Sequence, residues 1–171
     1  MTKALKYSII LVLLFACKLF MFGHKERDLQ QATLNMFLNN VDSFIKRGSH
    51  ALEDFGKDNN DIVCFFSDKT GNPNNFMPLL RTAYTATVKN DKFRLQEKYT
   101  VQVVGSIDSL DRLMDGKKIF IIISKPIITD SCQYVHSYFS KSRDYIYSGF
   151  FICKFSLRGQ LISYYWTESI S

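Results

Sequence analysis

The sequence predicts an α+β domain, with N-terminal helices packed on an antiparallel sheet. Two observations carry this prediction: apolar residues recur at three- and four-residue intervals after residue 25, and runs rich in β-branched and aromatic residues fill the C-terminal half. Aromatic residues make up 15% of the 171-residue chain, which is enough apolar mass for one buried core. A third observation, an apolar run near the N-terminus, predicts a signal or anchor helix ahead of the domain.

The first 23 residues (1–23) have the pattern of a signal peptide or a membrane anchor. Two lysines precede an unbroken apolar run, Ile9–Cys17, and apolar residues resume after Lys18. Some 17 residues from position 7 to 23 make a helix of roughly 26 Å, which is just long enough to span a bilayer. The segment is therefore predicted to be an uncleaved anchor or a cleaved signal, with residues 24–171 as the single α+β domain.

A third interpretation of this segment is a bacterial lipoprotein. Leu14-Phe15-Ala16-Cys17 resembles a lipobox, the tetrapeptide that ends in the lipidated cysteine, so Cys17 is a candidate lipidation site. Phe15 is bulky for that pattern, and the residues after Cys17 are more apolar than the usual tether. All three interpretations place the domain on the non-cytoplasmic side, with the membrane as a partner of the N-terminal segment.

Charge and spacing patterns argue against nucleic acid, metal and cofactor binding. Outside the first 23 residues, 19 basic residues face 16 acidic ones, a net charge of +3, and the basic residues form no stripe that could follow a phosphate backbone. The histidines are dispersed, and the cysteines match no zinc or redox motif. No cofactor and no metal site are predicted.

Three cysteines follow the N-terminal segment: Cys64, Cys132 and Cys153. In an oxidising compartment an odd number allows one bridge and one free thiol. Cys153 is predicted to be buried in a strand, which leaves Cys64–Cys132 as the candidate disulfide.

A long helix is predicted over Lys25–Arg47, ended by Gly48. A short second helix is predicted over Ser49–Phe55, with Ser49 as its N-cap. The apolar face of the long helix consists of Leu34, Phe37, Leu38, Val41, Phe44 and Ile45.

The middle of the chain mixes loops and short elements. Lys57–Asn75 is predicted to be a loop, interrupted by Ile62–Phe66 as a short strand or core anchor. Phe76–Val88 is predicted to be a helix because Pro78 suits the first helical turn, although its threonines favour a strand.

Four strands are predicted in the C-terminal half. Ile119–Ile123 is apolar on both faces and belongs at the middle of the sheet. The strands are Lys92–Val104, Lys118–Ser124, Asp144–Ser156 and Leu161–Glu168, with a helical turn in the connection Ser106–Gly116 and a long polar loop up to Arg143.

The last two strands are predicted to form a hairpin whose turn at Arg158-Gly159 sets its register. One face carries the pairs Phe155 with Ile162, Cys153 with Tyr164 and Phe151 with Trp166, and it is predicted to face the long helix. The other face carries Lys154 with Ser163, Ile152 with Tyr165 and Phe150 with Thr167.

This order of elements is similar to that of the nuclear transport factor 2-like superfamily. The closing hairpin Phe150–Ile162 also resembles the family's ending, an aromatic strand, a glycine turn and a last strand. The resemblance implies a cone-like curved sheet around the long helix, with a pocket between them. In that superfamily the pocket serves enzymes, ligand-binding modules and dimerisation domains, so a protein partner or homodimer is implied as well as a ligand.

Two groups of residues are candidates for a site. In the predicted loop, Cys132 and His136 could act as nucleophile and base, with Asp130 orienting the histidine, but an exposed polar loop without catalysis is the preferred interpretation. A ligand mouth could be lined by aromatic residues that otherwise pack in the sheet: Tyr145, Tyr147, Phe151, Tyr164 and Trp166.

The predicted function is non-catalytic binding of a partner protein or an apolar ligand in a helix–sheet pocket of a cell-envelope protein. The core-facing strand positions are nearly all apolar and carry no acid, which favours binding over catalysis, so no catalytic residue is assigned. The alternatives are a small pocket enzyme using general acid and base chemistry, and a scaffold subunit of a membrane-spanning assembly. Periplasmic assembly proteins of secretion systems also combine an N-terminal anchor with this fold.

Overall fold

A computed structural model describes residues 3–52, 61–71, 84–87, 99–113, 118–141 and 147–170. Side chains are described from Lys25 onward within these ranges, apart from 84–87, 147 and 169–170. In this part of the chain two helices and eight strands form an α+β domain with one open sheet, which confirms the α+β part of the predicted fold class.

The helices are α1 (Lys3–Lys46) and α2 (Ile107–Leu113). Along the sheet the strands follow the order β2-β8-β7-β6-β4-β1-β3, and β5 pairs with β6 beside this path. Their bounds are β1 Asp61–Thr70, β2 Tyr84–Thr87, β3 Thr100–Val104, β4 Ile119–Lys125, β5 Ile127–Ile128, β6 Cys132–Ser140, β7 Tyr147–Ser156 and β8 Leu161–Ile170.

The sheet is mixed, so the prediction of an antiparallel sheet was wrong for part of it. β1 lies between β3 and β4 and pairs with both in parallel. On the other side of β4, each neighbouring pair is antiparallel: β4 with β6, β6 with β7, β7 with β8, and β8 with β2. Parallel strands need a crossover, and α2 supplies it between β3 and β4. The run predicted as a short strand or core anchor, Ile62–Phe66, belongs to β1, the interior strand that β3 and β4 flank.

α1 packs its C-terminal half on one face of the sheet. The helix begins at Lys3 and not at Lys25, so the backbone is helical through the predicted boundary at residues 23 and 24. Gly48, at φ 83°, ends it, with the Gly48 N–H donating to the Ile45 carbonyl and the Ser49 N–H to that of Phe44. The helix buries Leu29, Leu34, Met36, Phe37, Leu38, Val41 and Phe44.

Several predicted elements differ from the structure. Ser49 does not begin a described helix: its hydroxyl donates to Glu168, and residues 53–60 lie outside the described chain. In Phe76–Val88, residues 84–87 form a strand beside β8, and the others lie outside the described residues. Of the strand predicted over Lys92–Val104, residues 100–104 form β3, and residues 92–98 lie outside the described residues. The polar loop predicted before Arg143 contains β5 and the interior strand β6.

The predicted register of the closing hairpin is confirmed for its central pairs. Phe151 lies opposite Trp166 and Cys153 opposite Tyr164. Beside the turn, a bulge shifts the pairing so that Phe155 lies opposite Leu161 in place of Ile162. Ile162 is consequently 40% exposed, and the prediction that it faces the helix was wrong, because the bulge turns Leu161 toward the core instead.

Aromatic rings fill the space between α1 and the sheet. Phe37 lies 5.0 Å from Phe139 and 5.8 Å from Phe151 between ring centroids, and Phe44 lies 4.8 Å from Trp166. Gly149 lies opposite Phe139, where an added Cβ would be 2.1 Å from the ring. The absence of a side chain at Gly149 therefore lets the Phe139 ring pack flat against β7.

Candidate functional site

The aromatic residues predicted to line a ligand mouth contribute to this core. Phe151 is fully buried among Phe37, Phe44 and Tyr164, with ring centroids 5.5 to 5.8 Å apart. The Tyr164 hydroxyl donates to Asn40 Oδ1 on α1 at 2.9 Å.

The other end of that predicted mouth lies outside the description. Tyr145 and the side chain of Tyr147 are not among the described groups. A ligand mouth at that end of the hairpin stays a prediction.

The candidate pair Cys132 and His136 does not form a nucleophile with its base. Both residues lie on β6, four positions apart on the same face. At about 3.3 Å per residue their backbones are roughly 13 Å apart, far beyond hydrogen-bond reach. Asp130 lies in the tight β5–β6 connection next to Cys132, so it cannot orient the histidine either.

The Cys132 thiol is surrounded by polar groups. Its Sγ lies 3.2 Å from Thr129 Oγ1 and 3.9 Å from Ser131 Oγ. Burial acts to raise the pKa of this thiol, but hydrogen bonds from Thr129, Tyr134 and Ser131, together with the nearby Lys154 ammonium, lower it below its usual value. The side chain is nonetheless buried in the sheet.

The candidate disulfide is not formed. Cys64 and Cys132 are both free thiols, on β1 and β6, with β4 between these strands. Cys64 points into the core under α1, whereas Cys132 packs with Tyr134 and Ile152 on the opposite face. Burial raises the pKa of the Cys64 thiol to about 12, which is the behaviour of an inert core cysteine.

The sheet face opposite α1, here the outer face, is covered at one end by α2. Leu110 of that helix packs on Val63 and Phe120. Over β6, β7 and β8 the outer face carries aromatic side chains instead. We call this group the outer aromatic cluster: Tyr134, His136, Tyr138, Phe150 and Tyr165.

Within the outer aromatic cluster, Phe150 is the centre. Its ring centroid lies 5.3 Å from that of His136 and 5.5 Å from that of Tyr138, and all three side chains are partly exposed. The backbone at Gly71 passes over His136, whose burial lowers its pKa to about 4. His136 is therefore neutral at physiological pH and acts as one more aromatic surface.

A cleft of about 190 Å³ opens where α1 leaves the sheet. It is lined by Lys25 and Glu26 of α1, Ile128 of β5, Gln133 of β6 and Leu157 of the β7–β8 turn. We call this end of the domain the exit rim. No local pattern in the sequence could have identified it, because its residues come from four separate elements.

Polar contacts hold the walls of the exit rim in place. Lys25 Nζ donates to the Leu157 carbonyl at 2.8 Å, and Lys125 lies 3.4 Å from Glu26. Gln133 Nε2 donates to the Ser156 carbonyl at 2.9 Å.

No family model, curated protein or solved structure matches the chain. Among the described residues, no group of three or more His, Cys, Asp or Glu side chains could hold a metal ion. Among the residues whose side chains are described, from Lys25 onward, no helix is long and apolar enough to cross a bilayer. The side chains of residues 3–24, Cys17 among them, are not described.

Proposed function

We propose that this protein is an exported, membrane-anchored binding domain whose outer aromatic cluster binds a partner protein. The observation that carries the proposal is the set of partly exposed rings centred on Phe150, on the sheet face that α1 leaves free. Aromatic residues are enriched where proteins bind one another, because they offer large contact areas at a low entropic cost.

The backbone of α1 supports the anchored form of this proposal. The helix is continuous from Lys3 to Lys46, so the apolar residues 7–23 and the core-forming residues from Leu29 onward belong to one helix. An uncleaved anchor would then hold the domain on the non-cytoplasmic side, as the two lysines before the apolar run favour.

The proposal includes a cone-like fold related to the nuclear transport factor 2-like superfamily. The long helix under the antiparallel strands β6, β7 and β8 supports it, whereas the parallel pairing of β1 with β3 and β4 departs from the predicted antiparallel sheet. The pocket-enzyme alternative receives less support, because its candidate nucleophile and base are roughly 13 Å apart on one strand.

Site-specific photo-cross-linking tests the proposal. A photoreactive phenylalanine replaces Tyr138 in the full chain, in membranes of the cells that make it, with Gln102 on the exposed side of β3 as the control position. We expect an adduct of defined mass from position 138 and not from 102, and we expect Phe150→Ser to abolish it.

The mass of the adduct distinguishes the partners. A product of twice the chain mass identifies a homodimer, and any other discrete mass identifies a different protein. Absence of an adduct from position 138, or the same products from both positions, would overturn the proposed function.

A further inference from the structure

We infer that the exit rim rests on the phospholipid surface, with Ile128 and Leu157 inserted at the boundary between headgroups and acyl chains. The inference rests on the proposed membrane anchoring by residues 7–23. It adds a second, direct lipid contact made by the folded domain itself.

The first step is that no flexible linker separates the apolar segment from the domain, because both lie on the continuous helix α1. Gly23 ends the apolar segment, and Lys25, two residues later on the same helix, already lines the cleft of the exit rim. At a rise of 1.5 Å per residue, these two positions are about 3 Å apart along the helix axis. Leu29, buried in the core, follows only about 6 Å beyond Lys25. A membrane-embedded segment therefore holds the rim at the bilayer surface.

The second step is that neighbouring strand ends lie at the same distance from the membrane as the start of the domain on α1. The Lys25 ammonium donates to the Leu157 carbonyl at 2.8 Å, so the β7–β8 turn lies beside the helix where it leaves the sheet. β4 ends at the same level, because Lys125 pairs with Glu26 at 3.4 Å. Ile128 and Gln133 complete the cleft from the β5–β6 hairpin.

The third step is the chemistry of the surface. Ile128 is 51% exposed and Leu157 is 44% exposed, and both line one cleft around the helix exit. Isolated exposed apolar residues are common, but two around a membrane-entering helix form an apolar contact in the plane of the interface. Long basic side chains at such a level bind lipid phosphates while their stems stay in the apolar boundary.

The charges of the exit rim fit a phosphate-bearing surface. Lys25 and Arg158 are basic and flank Leu157, while the carboxylate of Glu26 is matched by Lys125. Arg27, Asp28 and Asp130 are the other charged residues close by in sequence, so the local charge is nearly balanced. Insertion of Ile128 and Leu157 therefore provides most of the attraction to the membrane, and Lys25 and Arg158 orient the domain on its surface.

Depth-dependent fluorescence quenching tests this inference. The full chain is reconstituted into vesicles of phosphatidylcholine with one fifth phosphatidylglycerol, and a polarity-sensitive fluorophore is attached at Leu157→Cys. The matched control carries the label at Lys46→Cys, at the opposite end of α1, roughly 32 Å away along the helix. Cys17→Ser and Cys132→Ser remove competing thiols from both variants.

We expect the Leu157→Cys label to emit at shorter wavelength and to be quenched several-fold more strongly by nitroxide-bearing lipids than the Lys46→Cys label. Ile128→Asp should reduce that quenching without changing vesicle flotation, because the side chain is exposed. Equal, weak quenching at both positions while the protein still floats with the vesicles would overturn the lipid contact alone.

Two other outcomes also overturn the inference. A blue-shifted label at Leu157→Cys that nitroxide lipids do not quench indicates a protein occupant, such as a second copy. Failure of the chain to float with the vesicles overturns the anchoring of residues 7–23 as well, and so separates the two proposals.

Discussion

Truncating Phe151 to alanine should destabilise the domain strongly, far more than truncating Phe150 beside it. The ring is fully buried, and its neighbours Phe37, Phe44 and Tyr164 come from α1 and β8. α1 is a long helix and β8 is a ten-residue strand. Their side chains therefore cannot move far enough to fill the space that the ring leaves. The cavity would persist in the folded state.

The expected cost is about 3 to 5 kcal/mol, the range observed for Phe→Ala in well-packed cores. A domain of this size has roughly 5 to 15 kcal/mol of total stability, so the variant should retain at most a fraction of it. Phe150→Ala is the matched control, since it makes the same chemical change one residue away on the outer face. Phe150 is partly exposed, so its loss should cost about 1 kcal/mol.

Urea unfolding followed by tryptophan fluorescence measures both variants. Trp166 is the single tryptophan of the chain, and its ring lies 4.8 Å from Phe44, so its emission reports on the packing of α1 against the hairpin. We expect a large fall in the unfolding midpoint for Phe151→Ala and a small one for Phe150→Ala. Equal shifts in the two variants would refute the assignment of β7 faces.

Two further predictions concern Gly149 and His136. Gly149→Ala should destabilise the domain by about 1 to 3 kcal/mol, because the new Cβ would lie 2.1 Å from the Phe139 ring, and Phe139→Leu in the same chain should recover part of that loss. An unchanged midpoint for Gly149→Ala would contradict this packing. Burial lowers the pKa of His136 to about 4, so the stability that neutral His136 contributes is present above pH 6.5 and is lost as pH falls toward 4, by about 3 kcal/mol. Unfolding midpoints at pH 7.5 and 4.5 should therefore differ less in His136→Gln than in the unchanged chain, and an identical pH dependence would contradict the burial.

The spacing of apolar residues along the chain predicted those parts of the fold that depend on residues close together in sequence. The apolar stripe that contains Phe37 and Phe44 predicted which face of α1 is buried. The run Ile119–Ile123 predicted an interior strand, and alternation in the closing hairpin predicted the pairing of Phe151 with Trp166. In each case the side chains that decide the burial lie within a few residues of one another.

Other features were missed because polar composition misled the prediction. β6 contains Gln133, His136 and Ser137, which is typical of a loop, yet it is an interior strand. Two of these polar side chains form hydrogen bonds inside the sheet: the Gln133 amide donates to the Ser156 carbonyl and the Ser137 hydroxyl to that of Phe151. Those acceptors lie on β7, far along the chain, so a local pattern cannot reveal them.

The sequence by itself determined the α+β class, the core face of α1 and the central register of the hairpin. Only the tertiary structure decided that β1 pairs in parallel with β3 and β4, that a bulge turns Ile162 outward, and that Cys132 and His136 are too far apart to react together. It also assembled the exit rim from four elements. The physical reason is that periodicity encodes which side of an element is apolar, whereas strand partners depend on contacts between segments that are distant in the chain.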